Sequence, residues 1–160
     1  MADKMAEAGD KAPDVMLTMA DGSAIRLSEM LKDPLVLYFY PKDDTSGCTR
    51  EAKEFSERKA AFDMAGVGIL GVSKDSPEKH GKFIAKHALT IPLATDADGS
   101  VCEAFGTWVQ KSLYGRKYMG IDRATFLIDK NGRIVRVWRK VKVPGHVEEV
   151  LAAAEALTRG

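Results

Sequence analysis

The run Leu35-Val36-Leu37-Tyr38-Phe39-Tyr40 constrains the fold more than any other stretch of the chain. A continuous apolar segment stopped by Pro41 cannot keep one face in water, so it reads as a strand buried on both faces, with parallel neighbours expected on either side. The flanking segments keep the matching rhythm. Val67 to Val72 is a second buried strand. Between the two, a helix is expected from near Cys48 to about Ala65, with Gly66 as its stop and Cys48, Ala52, Phe55 and Phe62 on its inward face. Ser76-Pro77 followed by Glu78 and Lys79 opens a second helix that reaches about His87.

The rest of the chain completes a sheet. Short extended pieces around a Gly turn are expected from Pro13 to Leu17 and over Asp21 to Ile25, then a brief helical stretch at Ser28 to Leu31. Ile91 to Thr95 reads as a short strand, and Ser100 to Phe105 as a short helix in which Ser100 and Glu103 have capping-box spacing. Ala124 to Asp129 and Gly132 to Trp138 are strands joined at Lys130-Asn131-Gly132, and Val147 to Leu157 is a closing helix. This order gives an α/β fold: a central mixed β-sheet flanked by helices on both faces. No repeat, low-complexity tract or linker interrupts it, so residues 1–160 are expected to form a single domain, with residues 1–11 flexible.

Charge excludes several functions. Lys and Arg number 24 against 23 Asp and Glu, a net charge of +1, with neither the basic excess of a nucleic-acid binder nor an acidic tail. Met1 to Lys11 carries Asp3, Lys4, Glu7 and Asp10 and no apolar run, so a cytoplasmic protein with no membrane association is expected. The cysteine count is 2, too few for a disulfide scaffold or a Cys-rich zinc site. In a reducing compartment, a disulfide between two such thiols is catalytic or redox-sensing rather than structural.

Cys48 is the thiol placed for chemistry. A free cysteine, with pKa ~8.5, is only slightly ionised at neutral pH, and the thiolate is the nucleophile. The first turn of a helix supplies backbone N–H groups and the positive end of the dipole. Cys48 stands there by sequence, after a loop at the C-terminal end of a buried strand, where open α/β sheets bind ligands. Thr45 can direct its hydroxyl toward the sulfur or a bound oxygen substrate, and Pro41 can shield the pocket without adding a backbone donor. Read without its loop, Cys48 on an inward face with Ala52 and Phe55 is a packing residue.

The spacing Pro41-x-x-x-Thr45-x-x-Cys48 resembles the peroxidatic motif of the peroxiredoxins. The longer string from Phe39 through Glu51 is similar to the bacterioferritin comigratory protein branch, also called peroxiredoxin Q, and Tyr114 to Asp129 is similar to that branch's second signature. The resemblance implies a thioredoxin-like fold and thiol-dependent reduction of hydrogen peroxide or organic hydroperoxides, with no cofactor and no metal. Cys48 is then the peroxidatic cysteine, which becomes a sulfenic acid. Arg123 stabilises its thiolate and the developing oxyanion, Thr45 holds the peroxide oxygens, Pro41 shields the sulfenate, and Glu51 orients Arg123 or a neighbouring cation.

Many members of the branch carry a resolving cysteine five residues after the peroxidatic one, where this chain has Lys53. Others resolve from the region of Cys102, and the resemblance permits the same here. A bridge requires Cα atoms within about 7 Å, so a conformational cycle that unwinds the start of the Cys48 helix and shifts the Cys102 helix is expected. The alternatives are a one-cysteine peroxidase in which Cys102 is structural, and a redox-sensing thiol protein. A thiol-disulfide oxidoreductase is disfavoured because position 51, where Cys-x-x-Cys would close, is Glu51. The expected reductant is thioredoxin or a glutaredoxin-type donor, and the expected state is a monomer.

His80 and His87 are expected on a solvated helix face, and no histidine neighbours Cys48 in sequence. Arg133, Arg136, Arg139, Lys140 and Lys142 read as an exposed sheet face or an edge guarded by charge, and Trp108 and Trp138 as packing residues.

Overall fold

The computed structural model describes residues 5–159. Its elements are β1 (Met16–Met19), β2 (Ala24–Arg26), a 3-10 turn (Leu27–Met30), β3 (Leu35–Phe39), α1 (Ser46–Glu57), α2 (Lys59–Ala65), β4 (Gly68–Ser73), α3 (Pro77–His87), β5 (Leu93–Thr95), α4 (Ser100–Phe105), β6 (Trp108–Leu113), β7 (Arg116–Ile121), β8 (Ala124–Ile128), β9 (Ile134–Trp138) and α5 (His146–Arg159). Seven strands form one mixed sheet in the order β2-β1-β5-β4-β3-β8-β9. The apolar run is β3, every residue of it buried.

β3 pairs in parallel with β4 but antiparallel with β8, so the expectation of parallel neighbours holds on one side only. β8 is also buried along its whole length. A continuous apolar run therefore reports burial on both faces and says nothing of strand direction.

Alternation along β3 divides the interior in two. Leu35, Leu37 and Phe39 face a core with Val101, Cys102, Phe105 and Phe126, under α4 and the N-terminal segment. Val36, Tyr38 and Tyr40 face a second core with Cys48, Ala52, Phe55, Phe62, Phe83 and Val150, under α1, α2, α3 and α5.

Three local differences from the sequence reading have physical causes. The helix expected from Cys48 to Ala65 is broken at Arg58, and the break lets α2 pack on α5 while Phe62 still meets Phe55, ring centroids 5.9 Å apart. Gly66 ends α2 as expected, at φ +76°. α4 is capped by no Ser100–Glu103 box. Gly99 is its N-cap, and the Asp96 carboxylate accepts from Val101 N–H at 3.0 Å and Cys102 N–H at 2.8 Å. The expected flexibility of residues 1–11 meets contacts from Met5 onward: Met5 is in the core, Ala6 N–H donates to the Phe105 carbonyl, and Gly9 and Asp10 pair with Ile134. Residues 1–4 lie outside the described part.

β6 and β7 form a hairpin outside the main sheet, turning through Tyr114 and Gly115 at φ +50° and +78°. Among the described residues, no helix is long and apolar enough to cross a membrane.

Candidate active site

Cys48 is the third residue of α1 and is 1 % exposed. Its sulfur accepts from Arg123 Nη2 at 3.3 Å, and Arg123 Nη1 donates to Glu51 Oε1 at 2.7 Å. Glu51 lies one helical turn beyond Cys48, so a single guanidinium spans both side chains. Arg123 sits in the short connection from β7 to β8, where its carbonyl accepts from Val141 N–H at 3.0 Å. A Cβ on Gly47 would come within 3.2 Å of Arg123 Nη2, so the glycine before Cys48 makes room for the guanidinium.

Burial and charge compete within this cluster. Burial pushes the Glu51 carboxyl up to about 7, with Arg123 pulling the other way. Burial also works against the Arg123 charge, but Glu51 and Cys48 outweigh it and hold the guanidinium above its ordinary value. Beneath the pair, Tyr38 stacks on Phe55 at 4.6 Å, and burial, then Glu51 and Cys48, raises its hydroxyl well above the tyrosine range. On β6, Lys111 is a second cation within electrostatic reach of Cys48. Burial lowers its ammonium, while Asp122 and Cys48 oppose the shift.

The structure thus brings Cys48, Glu51 and Arg123 into contact. Thr45 and Pro41 are both exposed at the rim, and the Thr45 hydroxyl donates to the Lys42 carbonyl at 2.9 Å rather than toward the sulfur. Cys102 is not part of the cluster. It is fully buried in the core on the other face of the sheet, and burial, then Asp96, pushes its thiol up to about 12.

His80, expected on a solvated helix face, is completely buried. Its Nδ1 lies 2.7 Å from Asp43 Oδ2 and its Nε2 3.0 Å from the Ala94 carbonyl, while the Tyr40 hydroxyl donates to Asp43 Oδ1 at 2.5 Å. This network fastens the loop before Cys48 to α3 and β5. One signal for it was present: His80 stands three residues before Phe83, on the helix face that Phe83 carries into the core. His87 is mostly covered and contacts Asp44. The basic residues on and after β9 are exposed as expected, Arg136 lying over Trp138 and reaching Glu149. Among the described residues, no group of three His, Cys, Asp or Glu side chains could hold a metal ion.

A thiol on the first turn of a helix, held by an arginine at the edge of a thioredoxin-like sheet, is the arrangement of a peroxiredoxin. The family model AhpC/TSA matches residues 8–137, and the chain belongs to that family; it is a thiol peroxidase. Within the family, it is 50% identical over 145 residues to peroxiredoxin Bcp of Bacillus subtilis, covering 91% of this chain and 92% of that one. It is similar in structure to Xanthomonas campestris peroxiredoxin Q, with TM-score 0.89 and 42% identity over 96% of this chain and 99% of the other. The X. campestris bacterioferritin comigratory protein, studied for alkyl peroxide reduction in trapped intermediate and ligand complexes, matches with TM-score 0.89 and 42% identity over 95% and 99% of the two chains.

Proposed function

We propose that Cys48 is the peroxidatic cysteine of a monomeric, cytoplasmic, single-domain peroxidase acting on hydrogen peroxide and organic hydroperoxides. The observation that carries this reading is the Arg123 guanidinium 3.3 Å from a buried helix-start sulfur. The Cys48 thiolate attacks the terminal oxygen of the hydroperoxide: an S–O bond forms, the O–O bond breaks, and the departing oxygen takes a proton to leave as water or alcohol. Arg123 offers its N–H groups to the negative charge that moves from sulfur to oxygen, and Glu51 holds the guanidinium in plane. Thr45 turns its hydroxyl from Lys42 to the peroxide when substrate binds, and Pro41 limits water at the rim. The alkyl peroxide activity of the X. campestris relative supports organic substrates.

Regeneration requires a thiol to condense with the Cys48 sulfenic acid, releasing water, and a second thiol to reduce the resulting disulfide. Thioredoxin or a glutaredoxin-type protein is the proposed donor. Cys102 is the intramolecular candidate, but the two cysteines lie in cores on opposite faces of the sheet and burial strongly favours the protonated Cys102 thiol. Bridging them demands that both the first turn of α1 and α4 leave their seats. This separation favours the second reading, a one-cysteine cycle in which an outside thiol meets Cys48. One equivalent of peroxide followed by peptide mapping without reductant decides between them. A linked Cys48–Cys102 peptide supports the bridge, whereas a trapped Cys48 sulfenate beside a free Cys102 supports the outside thiol. Full peroxidase turnover in Cys48→Ser would overturn both.

A further inference from the structure

The first turn of α1 has little in its own sequence to hold it. Thr45 is the N-cap but makes no side-chain bond to the helix, no acidic residue complements the dipole, and Gly47 is the second helical residue. Immediately upstream, Asp44 is held at φ +62°, a left-handed conformation that Asp tolerates better than most non-glycine residues. What secures this stretch comes from elsewhere in the chain. Asp43 bonds Tyr40 and His80 through its carboxylate, and its N–H donates to Asp75 Oδ2 at 2.8 Å. Asp44 is met by Lys86 at 2.7 Å and His87 at 2.8 Å. The inner set is almost completely buried, with Asp43 8 % exposed and His80 fully enclosed. His80 thus meets a partner through each ring nitrogen, the Ala94 carbonyl at Nε2 and the Asp43 carboxyl at Nδ1.

We propose that Tyr40, Asp43 and His80 are positioning residues that set the balance between the closed and open forms of the first turn of α1. The proposal rests on the reading of Cys48 as the peroxidatic residue, because the two half-reactions then ask for opposite forms. A small peroxide is attacked in the closed form, where Arg123 is in place. A thiol of any size has to meet a sulfenate on a residue that is 1 % exposed, so the turn has to open. Loosening the loop therefore slows the first half-reaction and speeds the second. A role in general stability alone would speed exchange across the core strands as well as over this turn.

The test uses the reduced full-length chain. Hydrogen exchange read by mass spectrometry in Asp43→Asn should accelerate over residues 45–50 by ~10-fold or more, with β3 and β8 unchanged. In stopped flow, the rate with hydrogen peroxide should fall about tenfold while the preformed Cys48 sulfenate condenses faster with dithiothreitol. His80→Gln, which keeps polar atoms facing both partners, should recover part of each effect. Tyr40→Phe, missing one donor, should show smaller changes in the same directions, and it carries the measurement if Asp43→Asn does not fold. Unchanged exchange over residues 45–50, or half-reactions that slow together, overturns the proposal. Because exchange needs no peroxide, this failure is distinct from a failure of the Cys48 assignment, which Cys48→Ser reports.

Discussion

Replacing Glu51 by glutamine tests whether a buried carboxylate is maintained here against its own desolvation. Glu51 is fully enclosed, its Oε1 bonds Arg123 Nη1 at 2.7 Å, and its Oε2 has no hydrogen-bond partner among the described residues. Burial raises the carboxyl from 4.5 to about 7 in the folded chain. Between these values the folded protein holds a proton that the unfolded chain has released, so stability falls as pH rises through the window and is lowest above 7. At 1.36 kcal/mol per pH unit, the shift corresponds to roughly 3 kcal/mol. Glu51→Gln removes the titration. Urea unfolding under reducing conditions from pH 4.5 to 8 should show the variant gaining about 3 kcal/mol on the parent, whatever their difference at the acidic end. The peroxide rate should fall about tenfold, because the guanidinium loses the charged partner that holds it against Cys48. Stability curves that run parallel across this range would refute the account of Glu51 as a carboxylate charged at a cost.

The pH dependence of the parent alone conceals this effect. Burial lowers His146 from 6.5 to about 4, beside Phe55 and Trp138 and 2.8 Å from the Thr125 hydroxyl. The unfolded chain takes up a proton below 6.5 that the folded one refuses, so His146 removes up to about 3 kcal/mol as pH falls to 4, opposite in sign to Glu51. His146→Gln should therefore gain on the parent toward low pH in the same unfolding series, and an NMR titration of the imidazole should place its midpoint near 4. Gly71→Ala would set a Cβ 2.7 Å from Tyr38 Cζ and 2.8 Å from Leu93 Cδ2, inside the core beneath α1. Overpacking of this kind costs about 1–3 kcal/mol, visible as a lower melting temperature.

What could be read from the sequence, and what could not, follows from how far apart the interacting groups lie along the chain. Cys48 and Glu51 are joined by one turn of α1, which begins at Ser46, two residues before the helix start expected near Cys48, so a helix over this stretch sets both on neighbouring positions. Arg123 is 75 residues from Cys48, and spacing within a strand connection cannot reveal such a contact; only a resemblance to known sequences could. The β6–β7 hairpin leaves little mark in the sequence because it stands off the main sheet with Ser112 to Met119 all exposed, so it shows no alternation, and its turn is Tyr-Gly rather than Asn-Gly. His80 marks the limit of periodicity more sharply. A polar residue at a helical position reads as solvated unless something inside can satisfy it, and the group that does so, Asp43, lies in a loop 37 residues away. Burial of His80 is thus a property of the loop as much as of α3: the partner that allows a histidine into the core belongs to the loop that leads into Cys48.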